Sequence, residues 1–145
     1  MKLSFKSISV ILSLFAAIHA QGQYNPGDFT KACMERLNNG LTFLKSYDID
    51  GQGGARDKVE YSYVFSKDSN YSLSICSNSS SGTTDGIVAS IYDSNRNLVF
   101  TNNVNGRLYD QFSYPCKATG IYHITFTFEG SAAYCGGAVL GFKRN

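Results

Sequence analysis

The chain changes its hydrophobic period twice. It opens with Lys2 and Lys6, runs through the apolar stretch ISVILSLFAAI, and reaches His19-Ala20. A charged start, about a dozen apolar residues and a small residue before the cut form the order of a secretory signal peptide. The run is shorter than the roughly 20 residues that a spanning helix needs. Residues 1–20 are therefore expected to be removed on export, with Ile18 three positions before the cut. QGQYNPG at 21–27 is polar and turn-rich and reads as a flexible lead-in to a single domain at 28–145. DFTKACMERLNNG then sets Phe29, Ala32, Cys33, Arg36 and Leu37 at helical spacing. Asp28 is placed to cap this helix and Asn38-Asn39-Gly40 to stop it. So short a helix needs a surface to dock on.

After Gly40 the period becomes two. LTFLKSYDI puts Leu41, Phe43, Lys45, Tyr47 and Ile49 on one side. VEYSYVF sets Val59, Tyr61, Tyr63 and Phe65 against Glu60, Ser62 and Val64, and YSLSIC sets Tyr71, Leu73 and Ile75 against Ser72 and Ser74. IVASIYD and NLVFTN bracket SNR as a hairpin, NVNGR is a turn, and YDQFSYP is a further strand. Tyr122, Ile124, Phe126 and Phe128 alternate with His123, Thr125 and Thr127, and Ala138, Leu140 and Phe142 repeat the pattern. About eight short strands separated by turn signals predict an all-β protein, an antiparallel β-sandwich or barrel.

Charge and cysteines narrow the class. Losing Lys2 and Lys6 from 13 basic and 11 acidic residues leaves the mature chain formally neutral. A neutral chain without a basic run lacks the footprint of a nucleic-acid binder. All four cysteines, Cys33, Cys76, Cys116 and Cys135, follow the leader, and no two form the close pair that zinc prefers. An even count in an exported chain implies two disulfides. If the last strand runs antiparallel beside YSLSIC, Cys76 falls near Cys135, which leaves Cys33 for Cys116. Gly136 and Gly137 would let the chain turn or approach another backbone closely there.

YSYVFSKDSNYSLSIC, IVASIYDSNRNLVF, QFSYP and GIYHITFTF together resemble the pre-peptidase C-terminal domain group of small bacterial exported modules. The resemblance spans roughly residues 41–143 and leaves out the helix. It implies a jelly-roll sandwich, a bacterial source and an accessory role beside secreted enzymes. The chain is also similar to stand-alone bacterial envelope proteins. In such a source, Asn70-Tyr71-Ser72 and Asn78-Ser79-Ser80 match the glycosylation pattern by chance.

Candidate chemistry is sparse. His123 is the only histidine outside the leader, and no Gly-x-Ser-x-Gly accompanies it. No carboxylate pair stands out for glycoside hydrolysis. Calcium is the ligand to consider, because Asp48, Asp50, Asp85 and Asp93 place oxygen ligands in turns. Yet DIDGQGG lacks the later acidic ligands of an EF-hand loop, and Asp before Gly is ordinary turn chemistry. Ten tyrosines fit cross-strand packing and could also stack on sugars or peptides. The reading is a secreted or periplasmic, non-enzymatic binding or structural module. It is monomeric, with no cofactor beyond calcium and with a protein or glycan at the cell envelope as its partner. Two other classes compete with it. A calcium-stabilised carbohydrate-binding domain would converge its acidic loops beside exposed aromatics. The other is a small secreted hydrolase or enzyme inhibitor, and a hydrolase would hold His123 near a Ser or Asp in a pocket.

Overall fold

The computed structural model describes residues 25–37, 40–79 and 82–144. The expected leader at 1–20 and the lead-in up to residue 24 lie outside the described residues. Helix α1 covers Pro26–Met34 and starts earlier than the sequence reading placed it. Asn25, not Asp28, is the cap: its side chain accepts from the Gly27 amide, and Pro26 fills the first turn, where its missing N–H matters least. Ten strands follow: β1 (Thr42–Asp50), β2 (Lys58–Phe65), β3 (Ser69–Ser77), β4 (Ile87–Tyr92) and β5 (Leu98–Thr101), then β6 (Asn103–Val104), β7 (Arg107–Leu108), β8 (Gln111–Pro115), β9 (Gly120–Phe128) and β10 (Cys135–Arg144). One sheet has the order β1-β10-β3-β8 and the other β2-β9-β4-β5, while β6 and β7 pair as a small separate hairpin. Every pairing is antiparallel, and the chain changes sheet at almost every connection. This is the jelly-roll form of the β-sandwich.

The alternation read from the sequence sets the core. Ile49, Val59, Phe65, Tyr71, Leu73, Ile75, Ile124, Phe126 and Leu140 point between the sheets and are buried. Phe65 stacks between Tyr71 and Tyr122, with ring centroids 3.9 and 4.8 Å away. The β1 pattern breaks at one point. A register shift between Phe43 and Lys45 turns Leu44 toward the core and leaves Phe43 42% exposed, so Phe43 and Lys45 do not share a buried face with Tyr47 and Ile49. A bulge of this kind bends an edge strand and interrupts its pairing surface.

The condition considered for the last strand holds, since β10 pairs antiparallel with β3, but both disulfide pairings need correction. Cys33 bonds Cys76. Cys76 lies opposite Gly137, and Cys135 lies opposite Asp50 at the end of β1. A Cβ on Gly137 would sit 2.4 Å from the Thr30 amide of α1, so the missing side chain lets the helix lie on the sheet and brings Cys33 over Cys76. Cys116 is at the far end of β3, where its amide donates to the Ser69 carbonyl. Seven residue steps of strand separate Ser69 from Cys76, about 24 Å, far beyond the reach of a disulfide from Cys33 or Cys135. Both thiols are buried.

Candidate functional site

The two outer faces of the sandwich differ. On the β1-β10-β3-β8 sheet, α1 covers the centre, and Phe29, Leu37 and the disulfide pack on Val139. Thr30 reaches Asp48 on the same face, 3.4 Å away. Among the described residues, no helix covers the β2-β9-β4-β5 sheet. Antiparallel register arranges its outward residues in rows: Val64 with Ile121, Ser62 with His123 and Tyr92, and Glu60 with Thr125, Ser90 and Thr101. Val64 and Ile121 are 57% and 52% exposed, an uncovered aliphatic pair at one end of the face.

His123 stands at the middle of this face. Its Nδ1 lies 3.0 Å from the Ser62 hydroxyl and 3.6 Å from a Glu60 carboxylate oxygen. Arg96 reaches over from the β4–β5 turn and donates to the same Glu60 oxygen at 2.9 Å, and Lys58 lies 3.6 Å from the other. Desolvation, the largest single influence, pushes the Glu60 carboxyl up. The Arg96 hydrogen bond and charge, backed by Lys58 and His123, outweigh it and hold the group below its ordinary value. Serine, histidine and carboxylate are thus gathered, but both partners meet one ring nitrogen. A nucleophilic relay places the serine on one nitrogen and the acid on the other. The arrangement orients the imidazole and the guanidinium as a fixed polar patch.

The four aspartates do not meet, and among the described residues no three His, Cys, Asp or Glu side chains gather as a metal would need. Asp85, in the left-handed region at φ 47°, accepts from the Ser131 hydroxyl and from the amides of Ala132 and Ala133, which fastens the β9–β10 loop. Asp93 accepts from the amides of Asn95 and Asn97 and from the Asn97 side chain. These bonds, led by the Asn97 amide, hold its carboxyl below the usual value. Asp50 accepts from the Gln52 amide, and Asp48 accepts from Thr30. Asp85 and Asp93 flank opposite ends of β4, so these carboxylates serve separate turns. The Cys135 thiol is pushed up by burial and then by the charges of Asp50 and Asp48, which keeps it protonated.

Most tyrosines are accounted for by packing. Tyr47, Tyr71, Tyr114 and Tyr122 are buried, and Tyr61 uses its hydroxyl to cap the Asp48 carbonyl. Sequence reasoning singled out His123 and its strand face but missed Glu60, Ser62 and Arg96. The outward positions of Glu60 and Ser62 were legible from the alternation. Arg96 joins them only through strand register and the direction of its turn.

No protein-family model and no curated protein matches the chain. Among solved structures, the crystal structure of Aeromonas hydrophila PliG, a periplasmic lysozyme inhibitor of g-type lysozyme, is similar at a TM-score of 0.43 and 14% identity. The match covers 73% of this chain and 89% of that one. At that distance the likeness transfers neither a partner nor a residue.

Proposed function

We propose that this protein is an exported, non-enzymatic binding module that receives a protein partner on the outer face of the β2-β9-β4-β5 sheet. The observation that carries the reading is the asymmetry of the sandwich. One outer face is sealed by a helix that a disulfide fastens, whereas the other presents an oriented charged patch beside an uncovered aliphatic pair. Aliphatic anchors framed by fixed polar groups are the ingredients of a protein interface. Sugar stacking would want exposed ring faces, and the aromatic side chain in these outward rows is the half-buried Tyr92. The envelope location rests on the signal-peptide pattern of residues 1–20 and on an intramolecular disulfide, which persists in oxidising compartments. No helix among the described residues is long and apolar enough to cross a membrane.

The test compares retention of envelope proteins by the wild type, by Ile121→Asp on the open face and by Met34→Asp on the helix side. All three are first shown to melt alike. A protein retained by the wild type and by Met34→Asp, but lost with Ile121→Asp, is the expected result. A retained set that Ile121→Asp leaves unchanged contradicts the assignment.

A further inference from the structure

A groove of about 200 Å³ opens at the side of the sandwich where the edge strands β1 and β2 face each other, and it shares only Val64 with the open-face aliphatic pair. Leu44, turned in by the β1 bulge, and Tyr63 and Val64 of β2 line it. Tyr71 of β3 and Phe142 of β10 also line it, with ring centroids 6.2 Å apart. The Ser66 amide donates to the Tyr71 hydroxyl at 2.7 Å and fixes that ring. Arg144 contributes a guanidinium that meets no carboxylate among the described residues. Alongside runs β2, whose described partner is β9 alone and whose eight residues keep an unbroken register.

We propose that this groove takes the C-terminal residue of a partner polypeptide. Its apolar side chain lies against Tyr63, Tyr71 and Phe142, its carboxylate pairs with Arg144, and the preceding residues extend along the free edge of β2. Each part follows from a different observation. The volume is below the roughly 300 Å³ at which drug-sized pockets begin, and suits one large side chain. The groove combines aromatic and aliphatic walls with Ser66, Ser69 and a guanidinium that has no carboxylate partner among the described residues. Such a lining suits a ligand with one apolar side chain and one carboxylate, which that fork can bind through two hydrogen bonds. A regular, unbulged edge strand presents spare backbone donors and acceptors for an added strand. The bulge in β1 interrupts the opposing edge, so β2 is the strand that such a peptide would lengthen.

The probes are acetyl-Ser-Thr-Val-Phe with a free carboxylate, the same peptide as its C-terminal amide, and acetyl-phenylalanine, each titrated into the mature protein by NMR. The free-acid peptide is expected to shift Tyr63, Phe142 and the β2 amides, with the amide binding at least tenfold more weakly. Arg144→Gln should bring the acid down to the amide's affinity at an unchanged melting temperature, and acetyl-phenylalanine should bind at least tenfold more weakly than the peptide. Four results overturn the proposal: equal binding of acid and amide, an acid preference that survives Arg144→Gln, acetyl-phenylalanine binding as well as the peptide, or no response at millimolar peptide. The acetyl-phenylalanine result would make the groove a site for small free acids. None of these outcomes touches the open-face reading, which Ile121→Asp tests separately.

Discussion

Asn102 carries more structure than any polar residue the sequence brought forward. It is fully buried; its side-chain oxygen accepts from the Ala89 amide, and its nitrogen donates to the carbonyls of Ile87 and Tyr109. The side chain thereby does the work of a short strand where β5 gives way to the β6–β7 hairpin. Asn102→Ala would orphan the buried Ala89 amide and take a partner from the part-buried Tyr109 carbonyl, while the Ile87 carbonyl keeps its bond from the Thr84 hydroxyl. A buried group left unpaired costs about 1–3 kcal/mol. A loss of roughly 2 kcal/mol in urea denaturation is expected, and a loss below about 1 kcal/mol would refute that role. In the sequence Asn102 reads only as the last residue of the strand NLVFTN before the turn NVNGR, because nothing local marks an asparagine that satisfies a core. Glu60 makes a different prediction. Its carboxyl is lower in the folded chain than its free value of 4.5, so its partnership with Arg96 stabilises fully above about pH 4.5. That contribution is lost as pH falls through the depressed folded value. The pair is exposed, so the stability gap between the wild type and Arg96→Gln should stay under about 1 kcal/mol at neutral pH. The gap should close on acidification and in high salt; a gap that widens at low pH would show that Glu60 is not the group involved.

At the scale of elements, the helix depends on its anchor. A nine-residue helix is marginal by itself, and its apolar contacts are confined to a small cluster around Val139. The Cys33–Cys76 bond closes 43 residues, which the chain-entropy account values at about 4 kcal/mol. Cys33→Ser is therefore expected to lower stability by about that amount and to speed amide exchange in α1 ahead of the sheets. Uniform exchange across α1 and β3 would contradict the anchoring account. Gly137→Ala should act on the same contact from below, because the new methyl displaces the helix backbone, with a loss of about 1–3 kcal/mol. The strands were largely legible, since period-two alternation fixes which residues face inward, whereas the β10–β3 neighbourhood entered only as a condition that the pairing satisfies. The disulfide was not legible. Its formation depends on Gly137 opposing Cys76 and on a helix crossing at that point, and both are facts of register and packing across the sheet. The bulge at Leu44 was hidden for a similar reason: LTFLKSYDI alternates equally well with or without an extra residue.

For the whole molecule, the account rests on the difference between a sealed and an open face. The jelly roll supplies two outward surfaces, and among the described residues α1 covers one of them. Ser62, His123, Glu60 and Arg96 come from two strands and a turn, so their assembly is a property of the fold, and no local motif announces it. The most direct test is site-specific photo-crosslinking in the envelope of the producing cell. A photo-reactive residue would be placed in turn at Ser62, Ile121 and Thr101 on the open face, and at Met34 and Lys31 on the helix. The account predicts discrete adducts from the first three positions and none from the helix. Adducts from the helix positions alone, or equally from both faces, would contradict it.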